Sequence, residues 1–228
     1  MAEALESIMA RPANRGARRR TETRRRLLAA ARTVFAREGL EAATIAQITA
    51  EADAGFGTFY LHFATKEEAY RAVVTEGFSE LAAELERVRS ETAERREPWH
   101  AMTRAAVRAY GEFATRNRAL FTVMFAGGGV GLGLSRELGE RFAAGIAAQL
   151  IQSGAEEASA PDQRPWPYPP MPVAIATVAA LTRTILWWLG QNESQEQPDE
   201  SGFPPSLETL IETMSRYVTA ALWGRVPG

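Results

Sequence analysis

The stretch TIAQITAEADAGFGTFYLHFATK, Thr44 to Lys66, decides the fold. It holds two short helical patterns around a tight turn. In the first, Thr44 and Gln47 have the spacing of a capping box, in which hydroxyl and amide satisfy backbone donors reciprocally. Ile45, Ile48 and Ala52 supply its inner face. Asp53-Ala54-Gly55 then reads as a turn, because Asp and Gly tolerate positive φ better than most residues. A second short helix runs from about Phe56 to His62, with Phe59 and Phe63 at i, i+4 toward a core. The remaining face of that helix is small, hydroxylated and aromatic, so it is free to meet something outside the chain.

Working outward, residues 11–37 hold ten arginines and one acid, Glu22, although the whole chain has a net charge of -2. The rest of the chain is therefore acidic. A basic end on an acidic body suits a protein that meets a polyanion at one face; charge alone leaves a solvated or disordered basic tail as the alternative. Residues 1–20 lack periodicity and read as a flexible Arg-rich arm. From Thr21 the pattern is helical, with Leu27, Leu28, Ala31, Val34 and Phe35 on one face and Gly39 as the stop. Thr65 and Glu68 repeat the capping-box spacing and open a long helix to about Arg96. The expected organisation is an arm at 1–20, a helix-turn-helix domain at 21–72 and a larger helical domain at 73–228.

The larger domain reads as helices after Pro98 to about Met124, from about Ser135 to Gln152, over 173–190 and over 206–223. The interruptions are GGGVGLG at 127–133, a proline-rich loop at 155–172 and a polar loop at 191–205. No segment alternates like a strand, so the fold class is all-α. With 46% hydrophobic residues the chain can bury a real core. It has no cysteine, which excludes disulfides and thiolate chemistry. No signal-peptide pattern opens the chain, so a cytoplasmic location is the default.

A recognition helix entering the major groove needs small or polar residues at its outer face. Thr58, Tyr60 and His62 can donate hydrogen bonds, Gly55 and Gly57 permit close backbone approach, and Phe56 can pack on a thymine methyl. Thr44, opening the preceding helix, is a candidate phosphate clamp, and Arg24 and Arg25 are candidate contacts from the basic segment. An ordinary helical hairpin with Tyr60 and His62 as solvated surface is the competing reading, weakened by the neighbouring arginines.

These residues resemble the DNA-binding domain of the TetR family of transcriptional regulators. The resemblance rests on TRRRLLAAARTVFAREGLEAAT, Ile45-Ala46-Gln47-Ile48, Gly57-Thr58-Phe59-Tyr60, His62-Phe63 and Lys66-Glu67-Glu68, and it covers roughly residues 21–72. It implies phosphate contacts for Thr44, Tyr60 and Lys66, and base contacts near Gly55, Phe56 and Thr58. It also implies a homodimer paired through the last two long helices, with two recognition helices on a palindromic double-stranded operator and release by a small effector. Most members are repressors. Asp53 departs from the family's usual glycine in the turn, and Gly55 from its usual serine cap. The competing function is a small-molecule-binding or adaptor protein of the same fold that has lost its operator.

The resemblance places an effector cavity in the larger domain, and its candidate lining is Met102, Tyr110, Phe113, Phe121, Met124, Phe142 and Trp187. Each is as readily core as ligand wall. Abundant aromatics point to an apolar or aromatic effector. Leu210 and Met214 are the expected interface positions of the last helix. The glycine run matches neither GxGxxG nor GxxxxGK[ST], and no strand precedes it. The two histidines, His62 and His100, fall in separate elements, so neither a metal site nor a cofactor is expected. No catalytic grouping can be assigned. The run 171–190 approaches membrane-spanning length but carries Arg183 inside it, which favours a helix buried between protein partners.

Overall fold

In the computed structural model the described backbone comprises residues 2–125, 133, 136–146, 169–191 and 205–223, with side chains described within these from Gly16 to Ala221. It is helical throughout. The helices are α1 (Ala2–Ala42), α2 (Ile45–Glu51), α3 (Phe56–Tyr60), α4 (Lys66–Glu94), α5 (Trp99–Arg116), α6 (Arg118–Phe125), α7 (136–146), α8 (Pro170–Gln191) and α9 (Leu207–Trp223). Of the interruptions expected at 127–133, 155–172 and 191–205, residues 127–132, 155–168 and 192–204 lie outside the described residues, while 170–172 and 191 belong to α8.

The local signals act as their chemistry dictates. Leu27, Leu28, Ala31, Val34 and Phe35 are all buried on one face of α1. The helical path breaks at Gly39, whose φ of 75° is the left-handed region that an L side chain resists. Thr44 forms the full capping box: its hydroxyl accepts from Gln47 N at 3.2 Å, and the Gln47 side chain accepts from Thr44 N at 2.8 Å. At α4 only half the expected box forms. Thr65 accepts from Glu68 N at 3.1 Å, but the Glu68 carboxylate reaches one residue further back, to Ala64 N at 2.6 Å.

Three elements differ from the sequence reading. Residues 2–20, read as an arm without periodicity, have helical backbone continuous with α1. The stretch after Pro98 is two helices, because Asn117 leaves the helical region at φ -118°, ψ 40° and its amide turns back to Phe113 O at 3.1 Å. Asn competes with the helix ladder by such local bonds. Leu210 and Met214, expected at a dimer surface, instead face the chain's own core at 5% and 7% exposure. Here α9 lies on α5 and is clamped by the bidentate Arg108–Glu208 pair at 2.7 and 2.6 Å.

One apolar core runs through both domains. It extends from Leu27 and Phe59 through Tyr70, Val74 and Phe78 to Phe121, Ile185 and Val218. Long helix α4 is the shared element, packing on α1, α5 and α6. Polar ties cross the same seams: Tyr70 Oη donates to Val123 O at 2.9 Å, and Tyr110 Oη pairs with Thr182 Oγ1 at 2.6 Å. The guanidinium of Arg118 donates to Leu189 O at 2.6 Å.

The α4–α6 crossing is tightest at Gly77. A Cβ there would lie 2.6 Å from Met124 Sδ and 2.9 Å from Leu120 Cδ1, both buried side chains. Gly77→Ala should therefore destabilise the fold by about 1–3 kcal/mol despite alanine's better helix propensity. Urea denaturation checks this; a stabilised variant would mean that α6 yields freely.

Candidate DNA interface and inter-helix cleft

The turn between α2 and α3 is a C-terminal helix cap of defined geometry. Asp53 N donates to Ala50 O at 3.1 Å and Ala54 N to Thr49 O at 2.9 Å, with Asp53 at φ 47°. This is the Schellman pattern, whose left-handed residue is usually Gly. Asp53 thus occupies the position that wants positive φ, while Gly55 is extended (φ -68°, ψ 146°) and caps α3 without a side chain. Arg26 holds the turn from α1, donating to Ala52 O and, at 2.9 Å, to Asp53 O.

From this turn α3 projects with Phe59 fully buried and its other face open. Phe56 and Tyr60 are 55% and 51% exposed and meet edge to face, 5.6 Å between centroids. Gly55 and Gly57 are exposed, and Thr58 and His62 are half-buried. Leu61 is 68% exposed beside them, a residue that the sequence reading did not single out. Arg20 was passed over as well; its guanidinium donates to Leu61 O at 3.3 Å, which brings the basic segment to the end of α3.

The other candidates are already engaged within the chain. The Thr44 hydroxyl donates to Gln47 Oε1 at 2.9 Å. Lys66 is half-buried, with its ammonium on Glu41 O and Ala43 O, both at 2.8 Å, which leaves one of its three protons for another acceptor. Arg24 lies over the Phe63 ring at 5.0 Å. Arg25 pairs with Glu22 at 3.0 and 2.6 Å. His62 sits among cations: burial, then Arg20 and Arg24, hold its imidazole below the ordinary histidine range. It is thus neutral near pH 7, and an anion brought to this face would raise it again.

In the larger domain Tyr110, Phe113, Phe121 and Met124 are buried in the core. Phe121 lies 5.6 Å from the Tyr110 ring and 4.8 Å from that of Phe125. Burial pushes the Tyr110 hydroxyl well up, so it stays protonated as the partner of Thr182. Met102 and Phe142 are half-buried, and Phe142 stacks 6.0 Å from Phe78. Trp187, 42% exposed, lines a cleft of about 880 Å³ where α1, α6 and α8 meet. The other six lie elsewhere. Among the described residues no group of three His, Asp or Glu side chains could hold a metal ion. Helix α8 is long and apolar enough to cross a membrane, with mean hydropathy 1.5, yet 44% of that window is buried against the chain.

The Schellman geometry makes a test of the turn. Asp53→Gly should stabilise the fold by up to about 1 kcal/mol by relieving the left-handed Asp, and Asp53→Val should cost at least as much. Thermal unfolding of both variants checks the ordering; equal stabilities would remove the strain argument.

Residues 27–73 match the family model described as bacterial regulatory proteins, tetR family. No curated protein sequence matches the chain. Solved structures with the same fold include a Clostridium perfringens protein assigned as a fatty acid metabolism regulator, 21% identical over 89% of this chain and 100% of that one, TM-score 0.65. The fatty acid degradation regulator FadR of Bacillus halodurans is 14% identical over 88% and 98%, TM-score 0.63. FadR of Bacillus subtilis, solved in complex with stearoyl-CoA, is 13% identical over 88% and 98%, also at 0.63. Residues 27–73 thus carry the helix-turn-helix of the tetR family model, and the chain as a whole shares the fold of these solved structures.

Proposed function

We propose that the protein is a homodimeric, effector-released repressor that binds an inverted-repeat operator in the cytoplasm. The observation carrying this reading is the open face of α3: Phe56, Tyr60 and Leu61 stand exposed beside a basic α1, on a turn fixed by two backbone bonds and Arg26. Large apolar groups left in water on a polar domain mark a contact surface. Phe56 and Thr58 would approach base edges. Tyr60, Thr44, Lys66 and the arginines Arg24 and Arg25 would serve phosphates, with Thr44 and the arginines first exchanging the internal partners described above.

Dimerisation would use the uncovered stripe of α8. Ile175, Ala179, Arg183 and Trp187 repeat every four residues on its exposed side, and Tyr217 of α9 is also exposed. A second copy can bury that stripe without disturbing Leu210 or Met214. The effector is taken to be apolar or aromatic in its body. That one structural neighbour is named as a fatty acid degradation regulator and another is a transcriptional regulator solved with stearoyl-CoA supports an acyl compound among the candidates.

The central test is fluorescence anisotropy with DNA from upstream of the protein's own gene. Binding should be saturable, weaken steeply with salt as counterions are released, and fall about ten- to hundredfold in Tyr60→Ala. Sequence-blind binding, or unchanged affinity in Tyr60→Ala, would favour the operator-less binding protein of the same fold. Ile175→Asp should give a folded chain sedimenting at half the wild-type mass. A variant that still sediments with the wild type would move the interface off α8.

A further inference from the structure

We infer that Arg20, Arg24 and His62 form one phosphate seat at the end of α3, and that an operator phosphate bound there brings a proton with it. The inference rests on the regulator reading above and adds to it a dependence on pH. Arg20 and Arg24 stand four residues apart on α1, so their side chains share a face of that helix. Each reaches the short stretch that follows α3. Arg20 donates to Leu61 O at 3.3 Å, and the Arg24 guanidinium lies 5.0 Å from the centre of the Phe63 ring. His62 is the residue between those two, and both guanidinium groups act on its imidazole.

The other charged groups around this stretch are engaged elsewhere. On α1, Glu22 lies between the two arginines in sequence but is bidentate to Arg25 at 3.0 and 2.6 Å. At the head of α4 the Glu68 carboxylate accepts from Ala64 N at 2.6 Å, and the Lys66 ammonium is turned to Glu41 O and Ala43 O. Glu67 of that turn is exposed, and the charges that act on the imidazole are those of Arg20 and Arg24. On α3 itself Tyr60 rests against the Phe56 and Phe59 rings, and in the preceding turn Asp53 lies 3.8 Å from Arg26. Arg20 and Arg24 are themselves held by a carbonyl and a ring, neither of which carries a negative charge.

The chemistry of the three groups suits one phosphate. A guanidinium has five N–H donors, so Arg20 keeps others after its bond to Leu61 O. Neutral imidazole offers one donor, and imidazolium offers two. In the free chain His62 is half-buried between cations, which holds it below the ordinary histidine range and leaves it neutral near pH 7. A phosphate oxygen among the three reverses that field: it offsets the guanidinium charge and accepts from the imidazole, so the protonated ring becomes the favoured form. A group whose pKa is higher in the complex than in the free chain takes up a proton on association. Affinity then rises as pH falls through the complex's value and levels off below the free chain's, a window that opens beneath the ordinary histidine range and extends up through neutral pH.

The test is calorimetric titration of the full chain with the upstream duplex near pH 7, in PIPES and in Tris, whose ionisation enthalpies differ. The two heats should differ by the uptake of up to about one proton per protomer, and affinity should tighten about three- to tenfold between about pH 8 and about pH 6. His62→Gln, which keeps a donor but cannot titrate, should give equal heats and a flat pH profile. His100→Gln, on α5, should behave as wild type. Without DNA, Arg20→Gln should raise the midpoint at which the His62 imidazole titrates by NMR. Thermal unfolding confirms that each variant keeps the fold. Equal heats in the wild type, an uptake that persists in His62→Gln, or a midpoint indifferent to Arg20→Gln would each overturn the inference and leave operator binding intact. A chain that binds no duplex fails the regulator reading first, and this inference with it.

Discussion

Everything in this fold depends on α4 carrying one core through both domains. Its first turns carry Ala69, Tyr70, Val73 and Val74 in the packing that supports α1 and the short α2–α3 pair, while Gly77, Phe78 and Leu81 continue the same buried face beyond it. Two short helices of seven and five residues could not stand in water by themselves, since isolated helices of that length are marginal. They are held by what they bury on α1 and by caps at their ends. The proposed recognition surface therefore inherits its geometry from a helix that contributes nothing to that surface beyond Lys66.

This arrangement makes the α4–α6 contact the mechanical junction of the molecule. Gly77 lets Met124 and Leu120 come against α4 closely, and the Tyr70–Val123 bond fixes the same crossing about two turns back along α4. A change in how α6 and α8 sit is felt by α4 because packed interiors shift between discrete arrangements rather than deforming smoothly. The bond from Arg118 to Leu189 O couples α6 to α8 in turn. A continuous chain of contacts thus runs from the exposed stripe of α8 to the base of α3.

The helix-turn-helix was legible from sequence because its signals are local. Thr44-x-x-Gln47 became a full capping box, Phe59 and Phe63 became core, and the turn fell at Asp53. Which turn residue takes positive φ was not legible: that it is Asp53 and not Gly55 shows only once the two backbone bonds are seen. The larger domain was read less well. Tyr110, Phe113, Phe121 and Met124 carry the same residue types whether they line a cavity or fill a core, and composition cannot tell the two apart. Leu210 and Met214 have helical apolar spacing that fits an outer face as well as an inner one. Asn117, a single residue, divides what periodicity joined. The cleft escaped because its walls on α1, α6 and α8 lie far apart in sequence and only tertiary packing joins them.

The charge of α1 is smaller in reach than in number. Arg26 is occupied with the carbonyls that end α2, and Arg32 reaches both Glu76 and Glu80 on α4, at 2.9 and 2.6 Å. Arg25 and Arg37 are matched by Glu22 and Glu38. Arg26 and Arg32 stitch α1 to its neighbours and the other two are neutralised within α1, so much of the helix's arginine is mortar and less of it is bait. The field felt by an approaching polyanion comes from the guanidinium groups left over, gathered around Arg20 and Arg24 beside the end of α3. Local net charge counted along the chain measures how well the domain is built as much as how strongly it attracts.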